Sequence, residues 1–342
     1  MGGAPMTMKK LADMFGVSVS TVSRALRNDR GISRDLTGRI RAAAAEGRYG
    51  ARRRAGRQIC YVIDKRFFLL TNRFFNRVIE GIESESKSHG YAFQFHSLDP
   101  EEFSLASVPL RNVAGIIITS CYHDEFIAEV KRAGIPAVLI DYYLPAERIS
   151  SVLVDNVNGI FAAAGYLASL GHRKVAYVKG DISEIGARDR LDGYLRAIDS
   201  FGLDSDPRLL IESDFSIKGA YAAVRRSLEA ERRHPTAFLC VNDVVAMGAM
   251  EAIKSHGLTI PRDVSVMGFD DIDLASEVIP RISTMHIPKE ILGKLAVRRL
   301  LQIVRGEEIE FEKQVVMPWL VVRDSTGRPG ATRGKGGRHG RG

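Results

Sequence analysis

The chain has 342 residues and is 45% apolar, enough for two or three domains with full-sized cores, which excludes a disordered, collagen-like or miniprotein chain. Its formal net charge of +8 is unevenly spread: residues 1–57 hold thirteen Lys and Arg against four acids, residues 324–342 hold five against one, and the 266 residues between are net negative by five. Such a division suggests a small polyanion-binding head on an acidic body with another task.

The three cysteines, Cys60, Cys121 and Cys240, are odd in number and too far apart for a zinc clip or redox pair, as expected in a reducing cytoplasm. The N-terminus lacks the apolar run of an export signal, and no segment approaches ~20 apolar residues. A cytoplasmic protein without a membrane span is therefore expected.

The stretch TMKKLADMFGVSVSTVSRALRN, from Thr7, predicts two short helices around a tight turn. Thr7 can cap the first helix, Leu11, Ala12 and Phe15 share an apolar face, and Gly16 ends it with a positive φ. Ser18 caps the second, where Val22, Ala25 and Leu26 point inward and Val19, Ser20, Ser23 and Arg24 outward. A third helix fits Ser33 to Glu46. Helix, four-residue turn and helix is the sequence shape of a helix-turn-helix, and a small, hydroxylic outer face ending in arginine suits phosphates and base edges. A three-helix bundle with a solvated basic face is the competing reading.

The run GVSVSTVSRALRN, with Ile32-Ser33 and a third helix ending near Tyr49, resembles the lactose repressor (LacI) family. The resemblance implies a homodimer reading two half-sites of a near-palindromic double-stranded DNA operator. It places Val19 and Ser20 at base-reading positions, Arg24 on base edges, and Ser18, Thr21, Ser23, Ser33 and Tyr49 on the backbone, with Thr7 a further contact. The linker departs from the family, whose hinge helix carries a leucine that wedges into the minor groove. Here Tyr49 is followed by GARRRAGRQ, shorter and without the leucine. Either Arg53 and its neighbours enter the minor groove, or the segment is a basic tether adding nonspecific phosphate affinity.

Past residue 58, β-branched runs alternate with amphipathic helices, as a parallel α/β sheet requires. Candidate strands are 59–63, 91–96, 114–118, 137–140, 152–154, 175–178, 209–211, 237–241 and 264–269, too many for one small sheet, so a division near residue 154 predicts two lobes. The stretches LGHRKVA, RLDGY, VNDVVAMGA and IPRDVSVMGFDD extend the resemblance to about Arg323. It implies two doubly wound lobes like those of periplasmic sugar-binding proteins. The expected division is a head at 1–49, a linker at 50–58, a first lobe of 59–153 with 285–313, a second of 154–284 with 314–326, and a disordered basic tail at 327–342.

Ligands of doubly wound sheets bind beyond the carboxyl ends of the strands. By family motif, Arg190, Asn242 and Asp270 hold a small sugar-like effector. Position at strand ends adds Asp141 and Ser120, and Phe75, Tyr142 or Phe215 could stack on a pyranose face. Asp243 is expected to cap the helix that follows it. No nucleophile elbow or phosphate-binding loop is present, and Asp270, Asp271 and Asp273 lack partners for magnesium, so no catalytic residue, cofactor or metal is expected. The resemblance thus implies a ligand-responsive repressor, against a solute-binding protein or an enzyme on the same fold.

Overall fold

The computed structural model describes residues 8–26, 31–46, 57–119, 124–144, 148–230, 234–307 and 311–330, with no account of the side chains of 45–46 and 67–73. Thr7, Tyr49, Arg53, Ser120, most of the linker and the end of the tail lie outside this set.

The head is three helices, α1 (Met8–Phe15), α2 (Val19–Leu26) and α3 (Arg34–Glu46). Leu11 and Ala12 of α1, Val22 and Ala25 of α2, and Ile40 and Ala44 of α3 form one small core, with Phe15, Val17, Leu26 and Leu36 against it. Gly16, at φ 63°, lets the Val17 amide turn back to the Ala12 carbonyl at 3.0 Å and end α1. The hydroxyls of Ser18 and Ser33 accept from the amides of Thr21 (3.1 Å) and Leu36 (3.3 Å), starting α2 and α3 as expected.

In the body, β1 (Gln58–Asp64), α4 (Lys65–Ser88), β2 (Ala92–Leu98), β3 (Val113–Thr119), α5 (Asp124–Arg132), β4 (Ala137–Ile140) and β5 (Ser150–Val154) build the first lobe. The second follows as α6 (Asn156–Ser169), β6 (Val175–Lys179), α7 (Ile185–Phe201), β7 (Leu210–Glu212), α8 (Ile217–Ala230), β8 (Ala237–Cys240), α9 (Asp243–Ser255) and β9 (Ser265–Met267). After β10 (Thr284–His286) come α10 (Lys289–Arg305), β11 (Lys313–Val316) and β12 (Trp319–Val321).

The first sheet has the order β11-β5-β4-β3-β1-β2 and the second β7-β6-β8-β9, every pair parallel. Helices cover both faces, so β1 and β3 are buried along nearly their whole length, which is why they read as unbroken apolar runs. The antiparallel pair β10–β12 is tied to the second sheet by bridges Met267–Ser283 and Asp270–His286. The chain thus crosses between lobes after Val154, after His286 and after Val316.

Three expectations need correcting. The strands β10, β11 and β12 were not foreseen, being segments of only three or four residues, two of them largely exposed. All of β11 pairs with β5, so the expected division at 313/314 cuts a first-lobe strand. The tail is fixed at its start: the Gly327 carbonyl lies 2.8 Å from His172 Nε2, and the Gly327 amide donates to Ser265 Oγ at 3.0 Å.

The first lobe is held to its returning helix by a glycine contact. A Cβ on Gly81 of α4 would overlap the Glu290 backbone carbonyl of α10, and one on Gly293 of α10 would overlap the Val78 carbonyl. Backbone cannot yield as a side-chain tip does. Gly81→Ala should therefore destabilise the body by roughly 1–3 kcal/mol, although alanine is the better helix former. A urea melt checks this, and an unchanged or raised midpoint would contradict it.

Candidate functional site

The outer face of α2 presents Val19 (46% exposed), Ser20 and Arg24 to solvent, with Thr21 and Ser23 half-buried. Ser18 Oγ lies 2.7 Å from Ser20 Oγ and 2.8 Å from Thr21 Oγ1, which groups three hydroxyls at the start of this helix. An exposed short helix with hydroxyls at its N-terminal end and an arginine further along fits a duplex groove.

The second site is built from strand ends of both lobes. Beyond β4 the first lobe supplies Asp141, in the left-handed region at φ 53°. From the second lobe come Asn156 at the start of α6, Arg190 on α7, and Asp270 beyond β9 at φ 102°. Arg190 is the centre: its Nε donates to Asn156 Oδ1 (2.8 Å), its Nη1 to the Val241 carbonyl (2.7 Å), and its Nη2 stands 3.1 Å from Asp270 Oδ1. The guanidinium also lies 4.1 Å from the centroid of the Phe269 ring. Ile185, at the start of α7, packs against a first-lobe hydrophobic cluster that includes Ile118 and Tyr142, so the two lobes meet beside this site.

Burial dominates the electrostatics. It pushes Asp141 up to about 6 and Glu184 up to about 8, each opposed by the Arg190 guanidinium and reinforced by the neighbouring carboxylates. Asp270 is raised by the same desolvation, with Arg190 and then Lys289 pulling against it. Lys289 is itself buried, lowered, and spent on backbone: its Nζ donates to the carbonyls of Asp270, Asp271 and Ile287 at 2.6, 3.0 and 3.1 Å.

The expected roles of Asn242 and Asp243 are partly exchanged. Asn242 caps α9, its Oδ1 accepting from the Val245 amide at 2.9 Å, which leaves its Nδ2 as the group for a ligand. Asp243 does not cap: its carboxylate accepts from Thr284 Oγ1 (2.6 Å) and the Ile272 amide (2.9 Å), tying α9 to the hinge strand β10. Burial pushes it up to about 8. The other acids disperse, Asp271 to His286 (2.7 Å) and Arg323 (2.6 Å), and Asp273 to Arg77 (3.3 Å). No metal-holding group of three or more His, Cys, Asp or Glu occurs among the described residues.

The aromatics separate. Phe215 lies over Gly180, just past β6, where a Cβ would collide with its ring, so it flanks the strand ends. Phe75 is buried in the main core, edge-on to Phe74 at 5.1 Å, and Tyr142 is buried in the first lobe with its hydroxyl donating to Asp124 at 2.8 Å. Neither Phe75 nor Tyr142 offers an open ring face. Sequence reasoning missed Asn156 and Glu184; the first stands two residues past a strand end and was open to the same rule, whereas the second carries no motif.

A basic helix-turn-helix head followed by two doubly wound lobes, with a polar cluster where they meet, defines the class of effector-controlled DNA-binding regulators. The description "Bacterial regulatory proteins, lacI family" matches residues 7–50, and "Periplasmic binding protein-like domain" matches residues 164–326. The ribose operon repressor of Haemophilus influenzae is 31% identical over 93% of this chain and 98% of its own. Among solved structures, a complex of the transcriptional regulator CelR with cellobiose is similar at 25% identity and TM-score 0.73, covering 94% of this chain and all of that one. The lac repressor dimer bound to operator and an anti-inducer is similar at 26% identity and TM-score 0.69, covering 95% of this chain and all of the other. The chain belongs to the LacI family of transcriptional regulators. Among the described residues no helix is long and apolar enough to cross a membrane.

Proposed function

We propose that this chain is a cytoplasmic repressor that binds a near-palindromic operator as a homodimer and is switched by a small sugar-like effector between its lobes. The observation that carries this is the convergence of Asp141 from one lobe with Asn156, Arg190 and Asp270 from the other. A ligand bridging them stabilises one lobe arrangement over another by its differential contacts, and the two heads move with the lobes. Carboxylates, an amide and a guanidinium are groups that hold vicinal hydroxyls. The Haemophilus relative is named for a ribose operon and CelR was solved with cellobiose, both consistent with a polyol here. Val19, Ser20 and Arg24 are assigned to base edges, and Ser18, Thr21, Ser23 and Ser33 to phosphates.

The test is a mobility-shift titration of the full chain on duplexes from its own promoter region and on scrambled copies, near 0.15 M salt. One duplex per two chains is expected, with roughly a thousandfold preference or more for the promoter sequence. Equal affinity for both duplexes would overturn the operator reading.

A further inference from the structure

Polar side chains tie the two lobes together both inside and outside the crevice. Inside it, Asn156 of the second lobe accepts from Arg190 Nε at 2.8 Å and bonds the Asp141 carboxylate of the first. Outside it, Arg77 of α4 reaches from the first lobe to Asp273, in the turn between β9 and β10 of the second. Its Nη2 donates to both carboxylate oxygens at 3.3 Å.

An exposed ion pair between two mobile side chains contributes little, because holding both in one geometry costs side-chain entropy. Here each lobe orients its own partner. Nη1 of Arg77 stands 3.1 Å from Glu80 Oε2, one turn along α4, and 3.7 Å from Glu290 Oε1 of α10, which leaves Nη2 facing the second lobe. The close approach of Gly81 and Gly293 fixes α4 on α10 beneath this group. On the other side, the Ile272 amide just before Asp273 donates to the Asp243 carboxylate, and Ala275 just after it is fully buried. Arg77 also decides the sign of the interaction. Without its charge, Glu80 and Glu290 of one lobe would face Asp273 of the other and repel it.

We propose that Arg77 is a positioning residue for the effector: by pairing with Asp273 it holds the lobes in the arrangement that brings Asp141 to Asn156, Arg190 and Asp270. This rests on the crevice being the effector site. A ligand that needs both lobes binds in proportion to the fraction of molecules in which they converge, so loss of the pair weakens binding without removing a ligand contact.

The experiment measures binding of D-ribose, D-glucose and cellobiose to the full-length protein by calorimetry. The sugar that binds tightest is then carried through Arg77→Glu, Asp273→Arg and the double variant. Arg77→Glu sets three acids against Asp273 and should weaken the sugar about fivefold or more. Asp273→Arg faces Arg77 but also Glu80 and Glu290, and should change Kd by about twofold or less. The double variant places an arginine opposite three acids and should return Kd to within about twofold of the unsubstituted protein. Such a recovery is a coupling between positions 77 and 273, which a purely local role of Arg77 in α4 would not produce. Arg77→Gln, which adds no like charge to α4, should weaken the sugar roughly two- to threefold and tests the same pair should Arg77→Glu not fold.

Sugar binding that neither Arg77 variant weakens, or a loss in Arg77→Glu that Asp273→Arg leaves uncorrected, would overturn the role given to Arg77 and leave the crevice reading standing. Binding of none of the three sugars by the unsubstituted protein would overturn the sugar-site reading, and the proposal with it.

Discussion

Arg190→Ala is expected to abolish the effector's stabilisation of the body and to weaken the ligand-free body itself. Arg190 is 7% exposed and its guanidinium is the main counter-charge to Asp270 and Asp141, so its removal leaves buried carboxylates uncompensated. Breaking a buried pair in this way costs about 3–5 kcal/mol, part of which the acids recover by staying protonated. In the unsubstituted protein, ligand at about 100 times its Kd should add roughly 2.7 kcal/mol, with about 2–4 °C in Tm for each kcal/mol. Thermal melts of both proteins with the sugar giving the largest shift check this. A full ligand-induced rise in Arg190→Ala would contradict it, and lost operator binding in the ligand-free variant would assign Arg190 to the fold or dimer instead.

Arg24→Ala should lower operator affinity by roughly 1–3 kcal/mol, about ten- to hundredfold, while barely changing affinity for scrambled DNA. The side chain is exposed on α2, beyond the buried Val22 and Ala25 that fix the helix on the head's core. Its loss therefore removes a DNA contact and little packing. Arg53→Ala, in the basic linker, should instead weaken both DNAs and flatten the salt dependence by about one phosphate. Footprinting on matched and scrambled duplexes separates the two roles, and equal losses on both DNAs for Arg24→Ala would rule out base reading.

The head was legible almost residue by residue because its helices are short, capped by Ser18 and Ser33, and amphipathic at a helical period. The buried strands were legible as apolar runs, with ends displaced by a residue or two, as at 58–64 against the expected 59–63. β10 to β12 were not, because they are made by pairing at the hinge and at a sheet edge, which leaves no periodic trace.

The same limit applies at the site. Motif placed Arg190, Asn242 and Asp270 at the crevice, but Asn-Asp is ambiguous about which residue caps the helix. Asn242 takes the cap through the Val245 amide, while Asp243 is drawn away by bonds to Thr284 and Ile272, forty-one and twenty-nine residues along the chain. Glu184 becomes part of the site because α7 starts beside Asp141, a juxtaposition of two lobes that no local pattern encodes. Phe75 and Tyr142 were chosen by ring chemistry and position, and packing committed both to the interior.

The most direct measurement is operator affinity of the full-length protein with and without saturating sugar, for the unsubstituted chain and for Arg190→Ala. The unsubstituted protein should change its operator Kd by about 5- to 150-fold on adding the sugar, while Arg190→Ala binds operator with one Kd in both conditions. An operator Kd that sugar leaves unchanged in the unsubstituted protein, although the sugar demonstrably binds it, would contradict coupling between crevice and head.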